Sequence, residues 1–105
     1  MILKAHEIPS RQTRPGVIGK EPKLGTKVVF SEWSFAAGIE VLPHKHNNES
    51  YGYILKGELV IRLDGGDEQI LTQGDLFFLK PNTEHYLKIL QDTIIVYASS
   101  PTETT

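Results

Sequence analysis

From Lys27 onward the chain alternates side-chain character with a period of two. Val29, Ser31, Trp33 and Phe35 fall on one face of an extended segment and Val28, Phe30, Glu32 and Ser34 on the other. Similar runs follow at Ile39–Leu42, Ser50–Leu55, Glu58–Leu63, Gln69–Thr72, Leu76–Leu79, His85–Leu90 and Thr93–Ala98, so the reading predicts eight strands. In Glu58–Leu63 the alternation is clean: Leu59, Ile61 and Leu63 oppose Glu58, Val60 and Arg62, the pattern of a half-buried antiparallel strand. The breaks agree with this. Asp64-Gly65-Gly66-Asp67 reads as a hairpin turn in which glycine takes positive φ at low cost, and Lys56-Gly57 and Gln73-Gly74-Asp75 read as corners. No window of about twelve residues keeps a 3.6 period free of Gly and Pro, so the expected class is all-β, a sandwich or barrel.

The first quarter has a different texture. Residues 1–26 contain Pro9, Pro15, Pro22, Gly16, Gly19 and Gly25, which stop a helix before it reaches three turns, and the segment is expected to be an arm with short extended pieces. The barrel is expected over 27–101, with a loose tail at 102–105. A chain of 105 residues allows one domain, and its 39% hydrophobic and 23% charged residues suit a folded soluble chain. The net charge of -2 offers no basic surface for a phosphate backbone, so no nucleic acid partner is expected. No apolar run reaches the roughly 18 to 20 residues of a membrane span, and the first residues lack the apolar core of a signal peptide; no membrane partner is expected, and the expected compartment is the cytoplasm. The absence of cysteine removes disulfides, thiolate sites and cysteine nucleophiles, leaving metal chemistry to His, carboxylate and neutral oxygen.

Three of the four histidines invite that chemistry. His44 and His46 are spaced i, i+2, which on an extended segment projects both imidazoles to one face about 6 to 7 Å apart along the chain. They belong to a longer pattern: Gly38, five residues, His44-Lys45-His46, three residues, Ser50, six residues, Gly57. A second stretch reads Gly74-Asp75-Leu76-Phe77-Phe78-Leu79-Lys80-Pro81-Asn82-Thr83-Glu84-His85. Together these resemble the two motifs of the cupin superfamily, over about Thr26 to Pro101, and the style is that of small single-domain microbial cupins. The resemblance implies a jelly-roll β-barrel (a double-stranded β-helix), in agreement with the strand count. It also implies a divalent transition metal, Zn, Ni, Mn or Fe, held by His44, His46 and His85. A polar pocket lined by the same histidines without metal is the alternative.

The chain departs from the motifs at instructive places. Ser50 stands at the usual fourth-ligand position, where cupins place glutamate or, in one subgroup, glutamine; its hydroxyl is too short to replace a carboxylate but can hold a water. Glu49 is one residue early, and a one-residue slip turns a side chain to the opposite face unless a bulge re-aims it. Lys80, Asn82 and Ile89 replace proline, glycine and asparagine; Asn82 tolerates a left-handed turn conformation. The text is similar to the sugar-acid cupins of pectin degradation, which carry a catalytic aspartate near the end where this chain reads Tyr97-Ala98-Ser99. Trp33, Phe35 and Tyr97 are the expected substrate-pocket residues, with Tyr97 a candidate proton donor. Arg11, Arg14 and Arg62 are read as solvated and His6 as a surface residue.

Three functions follow from this reading. One is a metal-dependent cupin acting on a small oxygenated metabolite by isomerase, lyase or dioxygenase-like chemistry; another is a non-catalytic binding or sensing module for small molecules; the third is a structural barrel with an empty pocket. Apolar strand edges such as Val28–Phe30 are better covered than exposed, and a homodimer is expected.

Overall fold

β-Branched and aromatic residues pack well on a pleated surface, and the short runs rich in them become strands wherever glycine, proline or asparagine lets the chain turn. In the computed structural model, which describes residues 1–102, the strands are β1 Ser10–Arg14, β2 Val17–Lys20, β3 Val29–Phe35, β4 Glu40–His44, β5 Ser50–Leu63, β6 Gln69–Thr72, β7 Leu76–Leu79 and β8 His85–Ser99. The expected tail lies, beyond Thr102, outside the described residues. A 3-10 turn at Ala5–Glu7 is the single helical element among the described residues, and no helix is long and apolar enough to cross a membrane.

All pairings are antiparallel, in the order β1-β2-β3-β8-β5-β6, with β4 on β8 and β7 on β5. Two long strands organise the barrel. The first half of β5 pairs Ser50–Ile54 with Ser99–Ile95 of β8, and its second half pairs Leu59–Leu63 with Ile89–His85. One wall is therefore β3, β8, β5 and β7; the other is β4, β8, β5 and β6. This is the all-β jelly-roll barrel the sequence predicts.

The number of strands agrees with the reading, but their division differs. Ser50–Leu55 and Glu58–Leu63 are one strand, as are His85–Leu90 and Thr93–Ala98, while β1 and β2 come from the N-terminal segment. The register shifts at Ile54/Lys56, Lys56/Glu58 and Glu58/Leu59 bend β5 from one wall to the other without ending it. Gly57 makes the bend possible. Its φ is 106°, and a Cβ there would lie 2.3 Å from Thr93 Oγ1 and 2.6 Å from the Asp92 carbonyl oxygen. Thr93, 1% exposed, ties the two bends together: its Oγ1 accepts from Glu58 N–H at 3.2 Å and donates to the Gln91 carbonyl at 2.7 Å.

Alternation places Leu59 and Ile61 inward, on the face read for them, and the rest of the core follows the same period. Ile54, Leu59, Leu87, Ile89 and Ile95 are almost completely buried, with Phe35, Ile61, Phe77 and Leu79 around them. Val17 of β2 joins this core, and β2 lies along β3 with Val17 opposite Phe35, so the N-terminal segment is built into the wall. The turn after β5 forms as read: Asp64 and Gly65 both take positive φ, and Gly66 N–H donates to the Leu63 carbonyl at 2.9 Å.

Candidate metal centre

The three motif histidines converge because adjacent elements deliver them. His44 closes β4 and His85 opens β8, and the two are direct cross-strand partners in register. His46 follows two residues after His44, on the loop leading to β5, and its carbonyl accepts a hydrogen bond from Asn82 N–H at 2.6 Å. Asn82 adopts φ 65°, the left-handed conformation anticipated for that position, and so clips the loop carrying His46 to the turn before His85. The ring centroids lie 4.1 Å apart for His44 and His85, 4.7 Å for His44 and His46 and 5.5 Å for His46 and His85.

The second nitrogen of two rings is already committed. His44 Nδ1 contacts the Leu42 carbonyl at 2.9 Å and His85 Nδ1 the Thr83 carbonyl at 3.1 Å. A carbonyl can only accept, so in the neutral rings Nδ1 carries the proton and Nε2 keeps an unprotonated lone pair that can ligate, the arrangement that orients a ligating imidazole. Burial, and secondarily the neighbouring His44, holds His46 below its ordinary 6.5. His85 is lowered too: burial is the largest cause, opposed by its Thr83 hydrogen bond and reinforced by the two other histidines. Neutral imidazole is the ligating form.

The donor set fits a transition ion. One ligand atom from each histidine lies within 4.8 Å of the others. An ion with bonds of about 2.0–2.1 Å needs its donors about 3.4 Å apart. Closing that difference takes shifts of about 1 Å, within the reach of imidazole χ2 rotation. Imidazole donors suit Zn, Ni or Fe better than Mn, which favours oxygen ligands.

The histidines stand in the wall of a cavity of about 760 Å³ that Trp33, Phe35, Tyr97 and Ser50 also line. Rows across the sheet explain the composition of the opposite wall. Val29, Ser99, Ser50 and Leu79 are successive partners on β3, β8, β5 and β7; one step deeper come Ser31, Tyr97, Gly52 and Phe77. Ser50 and Ser99 share a hydrogen bond, Oγ to Oγ at 2.7 Å. Glu49 is exposed and absent from the lining; its backbone N–H donates to Ser100 Oγ and its carbonyl accepts from Ser100 N–H, so no bulge turns it inward. Trp33 lies flat over Gly19, where a Cβ would come within 2.6 Å of the indole, and its Nε1–H donates to Ser31 Oγ at 3.2 Å. Tyr97 packs edge-on to Phe77 at 5.9 Å, and burial pushes its phenol above its ordinary value. The shift makes Tyr97 a weaker acid than an ordinary tyrosine, so the buried phenol suits a hydrogen-bond donor better than the proton donor expected from the sequence.

Sequence reasoning passed over other lining residues. Ser31 was visible on the Trp33 face but carried no motif; Ser99 and Asn48 become neighbours only through strand register and loop closure, Asn48 by donating to the Ser100 carbonyl at 2.7 Å. Arg14 and Glu21 come from the N-terminal segment. Arg14, read as solvated, is exposed yet belongs to the lining and donates to the Glu40 carbonyl.

The cupin-domain family Cupin_2 matches residues 31–99, and the chain belongs to this family. A cupin-domain-containing oxidoreductase, fogC of Aspergillus ruber, is 26% identical over 85 residues; the match covers 80% of this chain, which spans 39% of the relative's length. The structure of KdgF from Halomonas sp. has a TM-score of 0.87 at 24% identity, covering 98% of this chain and 94% of that one. An RmlC-like cupin from Shewanella frigidimarina has a TM-score of 0.86 at 22% identity, covering 96% and 90%. Salicylate 1,2-dioxygenase from Pseudoaminobacter salicylatoxidans has a TM-score of 0.76 at 15% identity, covering 84% of this chain and 26% of that one. Likeness at these identities speaks for the fold; function has to be argued from the site.

Proposed function

We propose that this cupin binds a divalent transition metal through His44, His46 and His85 and acts on a small oxygenated metabolite in the adjoining cavity, by isomerase, lyase or dioxygenase-like chemistry. The observation that carries this reading is the convergence of three imidazole donors within 4.8 Å, two of them oriented through Nδ1 contacts to backbone carbonyls. A bound ion would supply Lewis acidity to a substrate oxygen, undiminished by any carboxylate ligand. The chain's own residues do the rest. Trp33 and Phe35 shield one side of the ligand from water, and the Ser50 and Ser99 hydroxyls and the Tyr97 phenol offer hydrogen bonds to its oxygens.

A specific observation favours a second reading, a non-catalytic binding or sensing module. Ser50, at the usual fourth-ligand position of the motif, is a neutral hydroxyl hydrogen-bonded to Ser99, and the stretch Tyr97-Ala98-Ser99 holds no carboxylate where the sugar-acid cupins it resembles carry a catalytic aspartate. Metal analysis of protein purified without chelator, beside His44→Ala and His85→Ala, is the first test. Near-stoichiometric metal in the wild type and loss of most of it in both variants is the expected result. Metal-free wild type that stays empty after reconstitution with Zn²⁺, Ni²⁺, Mn²⁺ and anaerobic Fe²⁺ would overturn the metal reading and favour the binding module. We further propose a homodimer formed through the outer face of β2 and β3, where Ile18 and Phe30 stand exposed beside Val28, the residue before β3.

A further inference from the structure

We propose that Arg14 makes the cavity selective for ligands carrying a carboxylate, so that the N-terminal hairpin β1–β2 supplies the specificity-determining residue. The inference rests on the reading of the cavity as a small-molecule site. It starts from the edges of the sheet. β1 ends one side of the strand order, and β4 is bonded on one side only, to β8, so an unpaired seam separates the hairpin from β4. Arg14 crosses that seam and donates from Nη2 to the Glu40 carbonyl. Val17 on one side and Val41 and Leu42 on the other complete this part of the cavity wall.

The guanidinium retains donors for a ligand. A guanidinium has five N–H groups in a planar fork that matches a carboxylate bidentately, and Arg14 uses one on Glu40. Among the described residues the one ion pair is Arg62–Glu68, and the Glu40 carboxylate itself accepts from the Tyr86 hydroxyl at 2.7 Å, so Arg14 has no carboxylate partner among the described residues. No other arginine, and no lysine, lines the cavity. Glu21 is the one carboxylate in the lining among the described residues. It follows β2, whereas Arg14 pairs with Val17 at the start of β2, so about 13 Å of strand separates them. A carboxylate is thus attracted to the Arg14 end and repelled from the Glu21 end. Glu40, which anchors Arg14, lies four positions before His44 on β4, again about 13 Å of strand. This spacing gives a ligand held at Arg14 by its carboxylate room to reach the histidines with its other oxygens.

Fluorescence of the single tryptophan, Trp33 in the cavity wall, reports the test. Two matched probe pairs, gluconate with sorbitol and galacturonate with galactose, are titrated into wild type, Arg14→Gln and Arg14→Ala at low ionic strength, before and after chelator. Glutamine removes the charge and keeps an amide donor on a shorter side chain, so the neutral-ligand affinity and the melting temperature report separately whether the seam stays closed. In at least one pair the acid is expected to bind wild type at least tenfold tighter than its neutral partner, and Arg14→Gln is expected to erase that preference while leaving the neutral affinity within about twofold. The melting temperature should move by no more than about 2 °C. No preference in either pair, including no binding at all, overturns the proposal. So does a preference that survives in both variants, or a parallel loss of acid and neutral affinity, which would make Arg14 a clasp only. Metal content of the same samples tests the histidine site separately, because the preference attributed to Arg14 persists after chelation.

Discussion

Burial that favours neutral His46 and His85 gives the metal-free protein a pH-dependent stability. In the unfolded chain these groups take up protons around 6.5; in the folded chain they do so only at lower pH. Between those values the unfolded state binds more protons, so their contribution to stability is full above about 6.5 and declines as the pH falls through the depressed folded values. Urea midpoints of chelated protein at pH 8, 6.5 and 5 should fall in that order, and His85→Ala should flatten the lower part of the curve. Ser50 supports a second prediction at this scale. It is 9% exposed, lines the same cavity as the histidines and occupies the fourth-ligand position of the motif. Ser50→Glu should therefore tighten metal by about tenfold or more, equivalent to one added contact of about 1.4 kcal/mol. Unchanged affinity in a metal titration would show that position 50 does not face the ion. The three histidines and Ser50 were legible because they sit at fixed spacings in two local motifs. Ser99 was not, because its place beside Ser50 is a matter of strand register.

At the scale of elements, the sequence marks where the backbone changes direction but not what kind of change occurs. Gly57 and the polar residues around it read as a corner between two strands; in the fold they are a bend within β5, because the ladder with β8 resumes after each register shift. The same holds for the interruption of β8 before Thr93. A test follows from the space around two glycines. Gly57→Ala meets positive φ together with Thr93 Oγ1 and the Asp92 carbonyl at under 3 Å, whereas Gly65→Ala meets positive φ in open space. Chemical denaturation should show a loss of about 2–4 kcal/mol for the first and about 1 kcal/mol for the second. Equal losses would mean that the bend accommodates a side chain by shifting. The hairpin β1–β2 was less legible than the barrel strands. Pro9, Pro15 and the glycines gave its short extended character, but only Val17 and Gly19 lie inward, too few to show a buried face.

For the whole molecule the prediction concerns assembly. Phe30 is 51% exposed and Val28 61% exposed, on the outer face of a wall whose inner face is core. Light scattering after gel filtration should give a dimer for wild type and a monomer for Phe30→Lys with an unchanged melting profile of the protomer. A monomeric wild type would refute the proposed interface.

What the sequence by itself determined is whatever has a local period or a local spacing. Alternation fixed the inward faces of β3 and β5, turn residues fixed the hairpin at Asp64-Gly65, and two short motifs named the histidines, because each of these is encoded within a few neighbouring residues. Only the tertiary structure decided what depends on contacts between distant segments: the pairing of His44 with His85, the Ser50–Ser99 hydrogen bond, the clip from Asn82 to His46 and the reach of Arg14 across the seam to Glu40. The physical reason is register. Shifting one strand by a single residue would leave each strand's own alternation intact, yet turn its cavity residues outward and dissolve the site.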